Sequence, residues 1–151
     1  MNKYCNILFL FLIIVTVSVP GSAYFKSGTA DAAMKQDQQA AASIFNKIEK
    51  GISTGKVSTI SNLFNSQMYL SLSNGVNGYY SSNQAYYVLQ GYFKNYRVIS
   101  FIIEDTHDED ENVVGTGEYT YSFKGKEGKA QVYLSLKKTG KKWKITQLTI
   151  N

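Results

Sequence analysis

The feature that most constrains the fold is a change of hydrophobic period after Arg97. From there to the C-terminus, apolar and polar side chains alternate, which is typical of strands with one buried face. The alternation predicts four strands, over residues 98–106, 113–123, 129–138 and 142–150. The last three are joined by short glycine-containing connections, which favour antiparallel neighbours. We therefore expect an antiparallel sheet in the C-terminal part of the chain.

The third and fourth predicted strands show which side of the sheet is buried. Leu134 and Leu136 lie in one phase with other apolar residues, and Tyr133 lies in the opposite phase. If the leucines are core, Tyr133 is on the outer face. In the last strand the apolar positions change phase, and a bulge near residues 146–147 would return them to one face.

The part of the chain before Arg97 has helical periodicity. Apolar residues at three- and four-residue steps predict one helix from Gln36 to about Gly55, a shorter one over residues 57–64, and a third from Ser81 to about Tyr96. Ser81 and Gln84 have the spacing of a capping box at the start of the third helix.

A short apolar segment at residues 68–72, followed by Asn-Gly pairs, predicts an extra strand or hairpin before the third helix. Residues 36–151 are expected to form a single α+β domain, with helices first and the sheet afterwards. Residues 24–35 lack apolar periodicity and are interpreted as a flexible spacer.

The first 23 residues have the pattern of a secretory signal peptide. Lys3 precedes an apolar run over residues 7–19, and small residues follow as far as Ala23. The run is shorter than the roughly 20 residues that a membrane span needs. We therefore expect cleavage, export to the periplasm or the extracellular space, and no stable membrane anchor afterwards. The only cysteine, Cys5, would be removed, which excludes disulfides and cysteine chemistry from the mature chain.

The order of predicted elements, ending in a W-x-I strand, resembles the nuclear transport factor 2-like superfamily. More closely, it is similar to a family of small exported Bacteroidetes proteins of unknown function. The resemblance is carried by four stretches, IFNKIEKGISTGKVSTISNLFNSQMYL, GYYSSNQAYYVLQGYF, GKAQVYLSL and GKKWKITQLTI. It implies a cone in which three helices pack on a curved four-stranded antiparallel sheet. It implies no activity, because this superfamily includes both enzymes and binding modules.

The sequence contains no phosphate-binding glycine loop, metalloprotease helix or nucleophile elbow. We accordingly predict no catalytic residue, no metal site and no cofactor. The acidic segment at residues 104–111, which contains His107, is interpreted as a solvated hairpin tip, with a cation site as the alternative. The basic segment at residues 137–142 is interpreted as a solubilising edge, with an anionic-polymer patch as the alternative. Export argues against a nucleic-acid partner.

Tyrosine is unusually frequent, with twelve copies. Several of these residues fall on segments that would line or flank the mouth of such a cone, where aromatic walls favour small-molecule or glycan binding. The candidate ligand-binding residues are Tyr86, Tyr87, Tyr119, Tyr121, Tyr133 and Glu118. If Tyr133 lies on the outer face, that face is an aromatic-and-lysine surface suited to a protein or glycan. The alternative for these rings is packing in the core and at its rim.

These patterns predict an exported, non-catalytic binding or interaction domain, whose ligand is a small molecule, a glycan or an envelope protein. One alternative is an isomerase- or dehydratase-type enzyme of the same fold, with Glu118 or an acidic-segment residue as its base. That enzyme would need a buried carboxylate facing the concave side of the sheet. A second alternative is a structural homodimer of the cell envelope that buries the outer sheet face.

Overall fold

The computed structural model describes residues 27–151 and consists of two helices and a six-stranded sheet. The predicted signal peptide at residues 1–23 lies outside the described residues. No helix in the described part is both long and apolar enough to cross a membrane. The helices and strands are α1 (Ser27–Ser53), β1 (Phe64–Leu72), β2 (Asn77–Ser81), α2 (Ser82–Asn95), β3 (Arg97–Glu109), β4 (Asn112–Phe123), β5 (Lys126–Thr139) and β6 (Lys142–Ile150).

The strands lie in the order β2-β1-β6-β5-β4-β3. All neighbours are antiparallel except β1 and β6, which run parallel. The four strands predicted after Arg97 are present and form antiparallel neighbours. The predicted extra hairpin is also present as β1 and β2, and it extends the same sheet instead of standing apart from it. The sheet is therefore mixed, with six strands where a four-stranded antiparallel core was expected.

Both helices pack on one face of this sheet, α1 mainly on β3 and α2 mainly on β1 and β2. Leu134 and Leu136 of the central strand β5 are both fully buried and form part of the hydrophobic core. In β6 the register shifts at Thr146, which leaves Ile145 and Leu148 buried on the same side. The predicted bulge is thus confirmed, and it keeps the apolar residues of β6 toward the helices.

The start of α2 has the predicted capping box. The Ser81 hydroxyl accepts a hydrogen bond from the Gln84 amide nitrogen at 3.3 Å, and Gln84 Oε1 accepts one from the Ser81 amide nitrogen at 3.0 Å. These two bonds satisfy amide donors that the first helical turn leaves without partners.

Two predictions about the helices need correction. The segment over residues 57–64 is not a helix but two 3₁₀ turns, Val57–Thr59 and Ser61–Leu63, after which β1 begins. Its apolar residues are nevertheless buried, as the periodicity indicated. The helix α1 begins at Ser27, so residues 27–35 are helical instead of irregular.

Candidate functional site

The space between α2 and the sheet, where a ligand mouth was predicted, contains a cluster of aromatic rings. Neighbouring ring centroids are between 4.5 and 6.2 Å apart, within the range of favourable aromatic pairs. We call this set the interior cluster, and its members are Tyr92, Phe93, Tyr96, Phe101, Tyr119, Tyr121 and Phe123.

Tyr119 is the centre of the interior cluster and is completely buried. Its hydroxyl donates to the Tyr96 carbonyl oxygen, and the nearby Tyr92 hydroxyl shares a hydrogen bond with Ser73 Oγ at 2.8 Å. Burial raises the pKa of Tyr92 to about 12 and raises that of Tyr119 as well, so both phenols, already neutral at physiological pH, become still harder to ionise. These hydroxyls are therefore part of the packing and do not offer an ionisable group to a ligand.

A glycine opposite the cluster makes room for it. Tyr121 pairs across the strands with Gly128, and a Cβ on that glycine would come within 2.7 Å of the Tyr121 ring. Tyr121 is itself half-buried and packs on the core. The candidates Tyr119 and Tyr121 consequently serve to fill the cone.

The candidates on α2, Tyr86 and Tyr87, lie apart from this cluster. Their rings contact each other edge to face at 5.2 Å, and Tyr87 is 62% exposed. The α2 rings that do meet the sheet are Tyr92, Phe93 and Tyr96. Helical periodicity carries the signal for Tyr92, because it continues the stripe of the buried Ala85 and Leu89 at helical spacing.

Glu118 lies on the sheet face opposite Tyr119. Its carboxylate accepts a hydrogen bond from Lys129 Nζ at 2.8 Å and one from the Thr120 hydroxyl at 3.3 Å. The bond from Lys129 holds the pKa of Glu118 below its usual range. Glu118 is thus an ionised, paired carboxylate on the outer face, and it does not point into the cone. All eleven Asp and Glu residues fall in the described part of the chain, and none of them is buried.

The same outer face has an open groove of about 380 Å³ that crosses the sheet from β2 to the β3–β4 hairpin. Tyr133 stands in it, in the phase opposite to the buried Leu134 and Leu136. We call it the outer groove, and its lining is Asn65, Gln67, Tyr69, Tyr79, Glu109, Asp110, Asn112, Tyr133, Ser135, Thr146 and Gln147.

Three tyrosines form the aromatic part of the outer groove. Tyr69 and Tyr79 are direct partners on β1 and β2, and their rings meet edge to face at 5.2 Å. The Tyr69 hydroxyl donates to Asn77 Oδ1 at 2.8 Å, and the Tyr133 hydroxyl donates to Glu109 Oε2 at 3.1 Å. Partial burial, and then the bond to Glu109, raise the pKa of Tyr133. The groove therefore presents two rings, Tyr69 and Tyr133, whose hydroxyls are already held in place, and a third, Tyr79, that is mostly exposed.

The lysines of the outer face do not extend into this groove. Lys129 binds Glu118, Lys137 binds Glu111 at 2.7 Å, and Lys144 donates to a backbone carbonyl at 2.7 Å. The outer face as a whole therefore has tyrosines and lysines, as expected, whereas the groove lining itself combines aromatic, amide, hydroxyl and carboxylate groups.

The acidic segment at residues 104–111 occupies the end of β3 and the hairpin tip, and its side chains are exposed. Asp108 accepts a hydrogen bond from Gln38 of α1 at 2.8 Å, and Asp105 lies 3.7 Å from His107. Among residues 27–151, no group of three or more possible ligand side chains is placed to hold a metal ion. The segment also contributes Glu109 and Asp110 to the outer groove.

A helical layer on one face of a mixed six-stranded sheet, with a parallel β1–β6 pair, gives an α+β domain whose fold is of the nuclear transport factor 2-like class. The likeness to a solved nuclear transport factor 2-like protein of unknown function from Shewanella oneidensis supports this class, with a TM-score of 0.53 over 76% of this chain and 98% of that one at 14% identity. Residues 45–151 match the model of the domain of unknown function DUF4783, and the chain belongs to that family.

Solved DUF4783 proteins from Bacteroides share the fold. The one from Bacteroides uniformis aligns with a TM-score of 0.63 at 18% identity, over 70% of this chain and 94% of its own. The one from Bacteroides ovatus aligns with a TM-score of 0.59 at 19% identity, over 69% and 90%. No curated protein matches the sequence.

Proposed function

We propose that this protein is an exported, non-catalytic binding domain that holds its ligand in the outer groove. The observation that carries the proposal is the contrast between the two faces of the sheet. The predicted mouth is packed with the rings of the interior cluster, whereas the outer groove exposes aromatic and polar side chains together. Exposed aromatic rings among a few placed polar groups are typical of ligand sites.

The enzyme alternative receives less support from the side chains. An isomerase or dehydratase of this kind needs a carboxylate that faces the bound substrate on the concave side of the sheet, where it can take up a proton. Glu118 has a lowered pKa because Lys129 binds it, and it lies on the outer face. Binding without chemical conversion is therefore the function that the geometry favours.

The export part of the proposal is supported by the signal-peptide pattern of residues 1–23. Export would place the outer groove in the periplasm or outside the cell, in contact with envelope material. In the homodimer alternative, a second copy of the protein would cover the outer groove. That face would then not be free to bind another ligand.

Cell fractionation of a Bacteroides host that expresses the full chain tests the proposal. We expect wild type to sediment with envelope material and to have an intact mass that lacks residues 1–23. Replacing both Tyr69 and Tyr133 by alanine removes two groove rings, and we expect it to shift most of the protein to the soluble fraction with the same processed N-terminus. Tyr87→Ala is the matched control, because it removes an exposed ring from α2, and it should leave the distribution unchanged.

Two results would count against the proposal. Equal sedimentation of wild type and the double variant would show that the outer groove does not hold the envelope ligand. A recovered protein that still contains Met1 would contradict signal-peptide cleavage. Thermal melts of each variant distinguish loss of binding from loss of the fold.

A further inference from the structure

The chemistry of the outer groove restricts the class of ligand that it can hold. The Gln67 amide can both donate and accept hydrogen bonds, and Gln147 keeps its oxygen and one N–H for a ligand after donating the other to Thr149 Oγ1 at 3.2 Å. The Thr146 hydroxyl donates to Ser135 at 3.3 Å and can therefore only accept from a ligand. A ligand that matches such a lining must itself offer many groups that both donate and accept. Sugar hydroxyls have this property.

The two carboxylates at one end of the groove add acceptors only. Tyr133 uses Oε2 of Glu109, which leaves Oε1 to accept from a ligand hydroxyl. Asp110 lies beside it at the hairpin turn. A carboxylate has two oxygens at a spacing that suits neighbouring hydroxyls, and bonds to a charged acceptor are stronger than neutral ones.

The charge of the groove lining favours neutral ligands over acidic ones. Within the described part of the chain, the groove lining contains two acidic residues and no lysine or arginine. A phosphate, sulfate or uronate would therefore meet like charges and no cationic partner. Lys129, Lys137 and Lys144 of this face are held by Glu118, Glu111 and a backbone carbonyl, and none of them lines the groove.

The rings supply the apolar part of recognition. The hydroxyls of Tyr69 and Tyr133 are hydrogen-bonded, so these two rings have little side-chain freedom left to lose on binding, and Tyr79 contacts Tyr69 edge to face. The C–H face of a pyranose ring packs on an aromatic face through dispersion and weak C–H contacts. The groove volume of about 380 Å³ is within the usual range for small-ligand sites.

We infer that the outer groove binds an uncharged carbohydrate, whose pyranose faces pack on the three tyrosines and whose hydroxyls bind the amides and Glu109. This inference rests on the proposed function, because it assigns the ligand class of the same groove. It goes further by excluding acidic polysaccharides, and it names Tyr133 and Glu109 as determinants of specificity.

Affinity gel electrophoresis of the protein in gels that contain single polysaccharides tests the inference. The neutral probes are dextran, laminarin, xyloglucan and galactomannan, and the acidic probes are polygalacturonate and alginate. We expect retardation by at least one neutral polymer and by neither acidic one. Tyr133→Ala should weaken that retardation by about tenfold or more, the size expected from losing one stacked ring.

Tyr133→Phe is the matched control for stacking. It keeps the ring and removes only the hydroxyl bonded to Glu109, so we expect its affinity to stay within about threefold of wild type. Glu109→Gln should weaken binding more than Tyr133→Phe, because it removes the charged acceptor. Tyr87→Ala should change nothing.

The outcomes separate this inference from the proposed function. Retardation by acidic polymers alone, or by no polymer, overturns the carbohydrate inference, and the proposed function then stands or falls on the fractionation experiment. Retardation by a neutral polymer that survives Tyr133→Ala overturns the outer groove as the site, and with it the placement of the ligand in both proposals. A dimer in light scattering that Tyr133→Ala dissociates overturns both, because the groove is then an interface between copies.

Discussion

Gly117→Ala is expected to lower the free energy of unfolding by about 3 kcal/mol or to prevent folding, although it adds a single methyl group. A Cβ at position 117 would lie 1.9 Å from the carbonyl oxygen of Ile102 and 2.9 Å from the Cα of Ile103. Both atoms belong to the backbone of β3, so no side chain can rotate to relieve the contact. The edge strand itself would have to move away from β4, and its ladder hydrogen bonds would be strained.

Gly91→Ala provides the matched control for this substitution. Gly91 lies on the exposed side of α2, and an added Cβ there would meet open space. Alanine is the better helix former, so we expect this variant to be more stable by about 0.5–1 kcal/mol. Urea melts of both variants measure the two effects. A Gly117→Ala protein as stable as wild type would show that β3 does not approach β4 as closely as described.

Leu134→Ala should be the second large effect, with a loss of about 2–5 kcal/mol. Leu134 is at the centre of β5, fully buried between the sheet and the helices, and its truncation leaves a cavity that its neighbours fill only in part. Tyr133 is the adjacent residue with the opposite orientation, and Tyr133→Ala should cost about 1 kcal/mol or less, mainly from its hydroxyl bond to Glu109. Denaturant melts compare the two. If Tyr133→Ala is as damaging as Leu134→Ala, Tyr133 is part of the core and the outer groove loses its central ring.

The fold was predictable where local pattern decides the outcome. Strict alternation placed Leu134 in the core and Tyr133 outside it, and a phase change located the bulge at Thr146. The capping box at Ser81 was equally visible, because its two hydrogen bonds join residues three apart. In each case the interactions that determine the structure lie within a few residues of one another in sequence.

Long-range pairing accounts for what the sequence did not reveal. The segment over residues 57–64 has apolar spacing that suits a helix, yet Phe64 pairs with Ile145 of β6, and the start of β1 ends any helical continuation. Parallel pairing of β1 with β6 joins segments far apart in the chain, so no local signal identifies it. The same pairing makes the sheet six-stranded.

In the candidate site, too, the orientation of a residue within its strand was predictable, whereas its neighbours from distant strands were not. The phase of β5 correctly predicted that Tyr133 faces outward. For Tyr69 and Tyr79, the sequence indicated only that they belong to a tyrosine-rich set. Their place beside Tyr133 depends on the strand order, which brings β1 and β2 next to β6 and β5. On α2, the candidate ligand-binding residues were Tyr86 and Tyr87. The α2 tyrosine that packs in the interior cluster is Tyr92, as its helical spacing from Ala85 and Leu89 indicates.

Tyrosine footprinting with and without envelope material tests most directly whether the outer groove holds the ligand. Radical labelling followed by mass spectrometry reports the exposure of each ring. In the free protein Tyr79, at 74% exposed, and Tyr87, at 62% exposed, should both be labelled strongly. On binding, we expect Tyr69, Tyr79 and Tyr133 to lose labelling while Tyr87 keeps it. Protection of Tyr86 and Tyr87, with unchanged labelling in the groove, would contradict the account and place the ligand at α2.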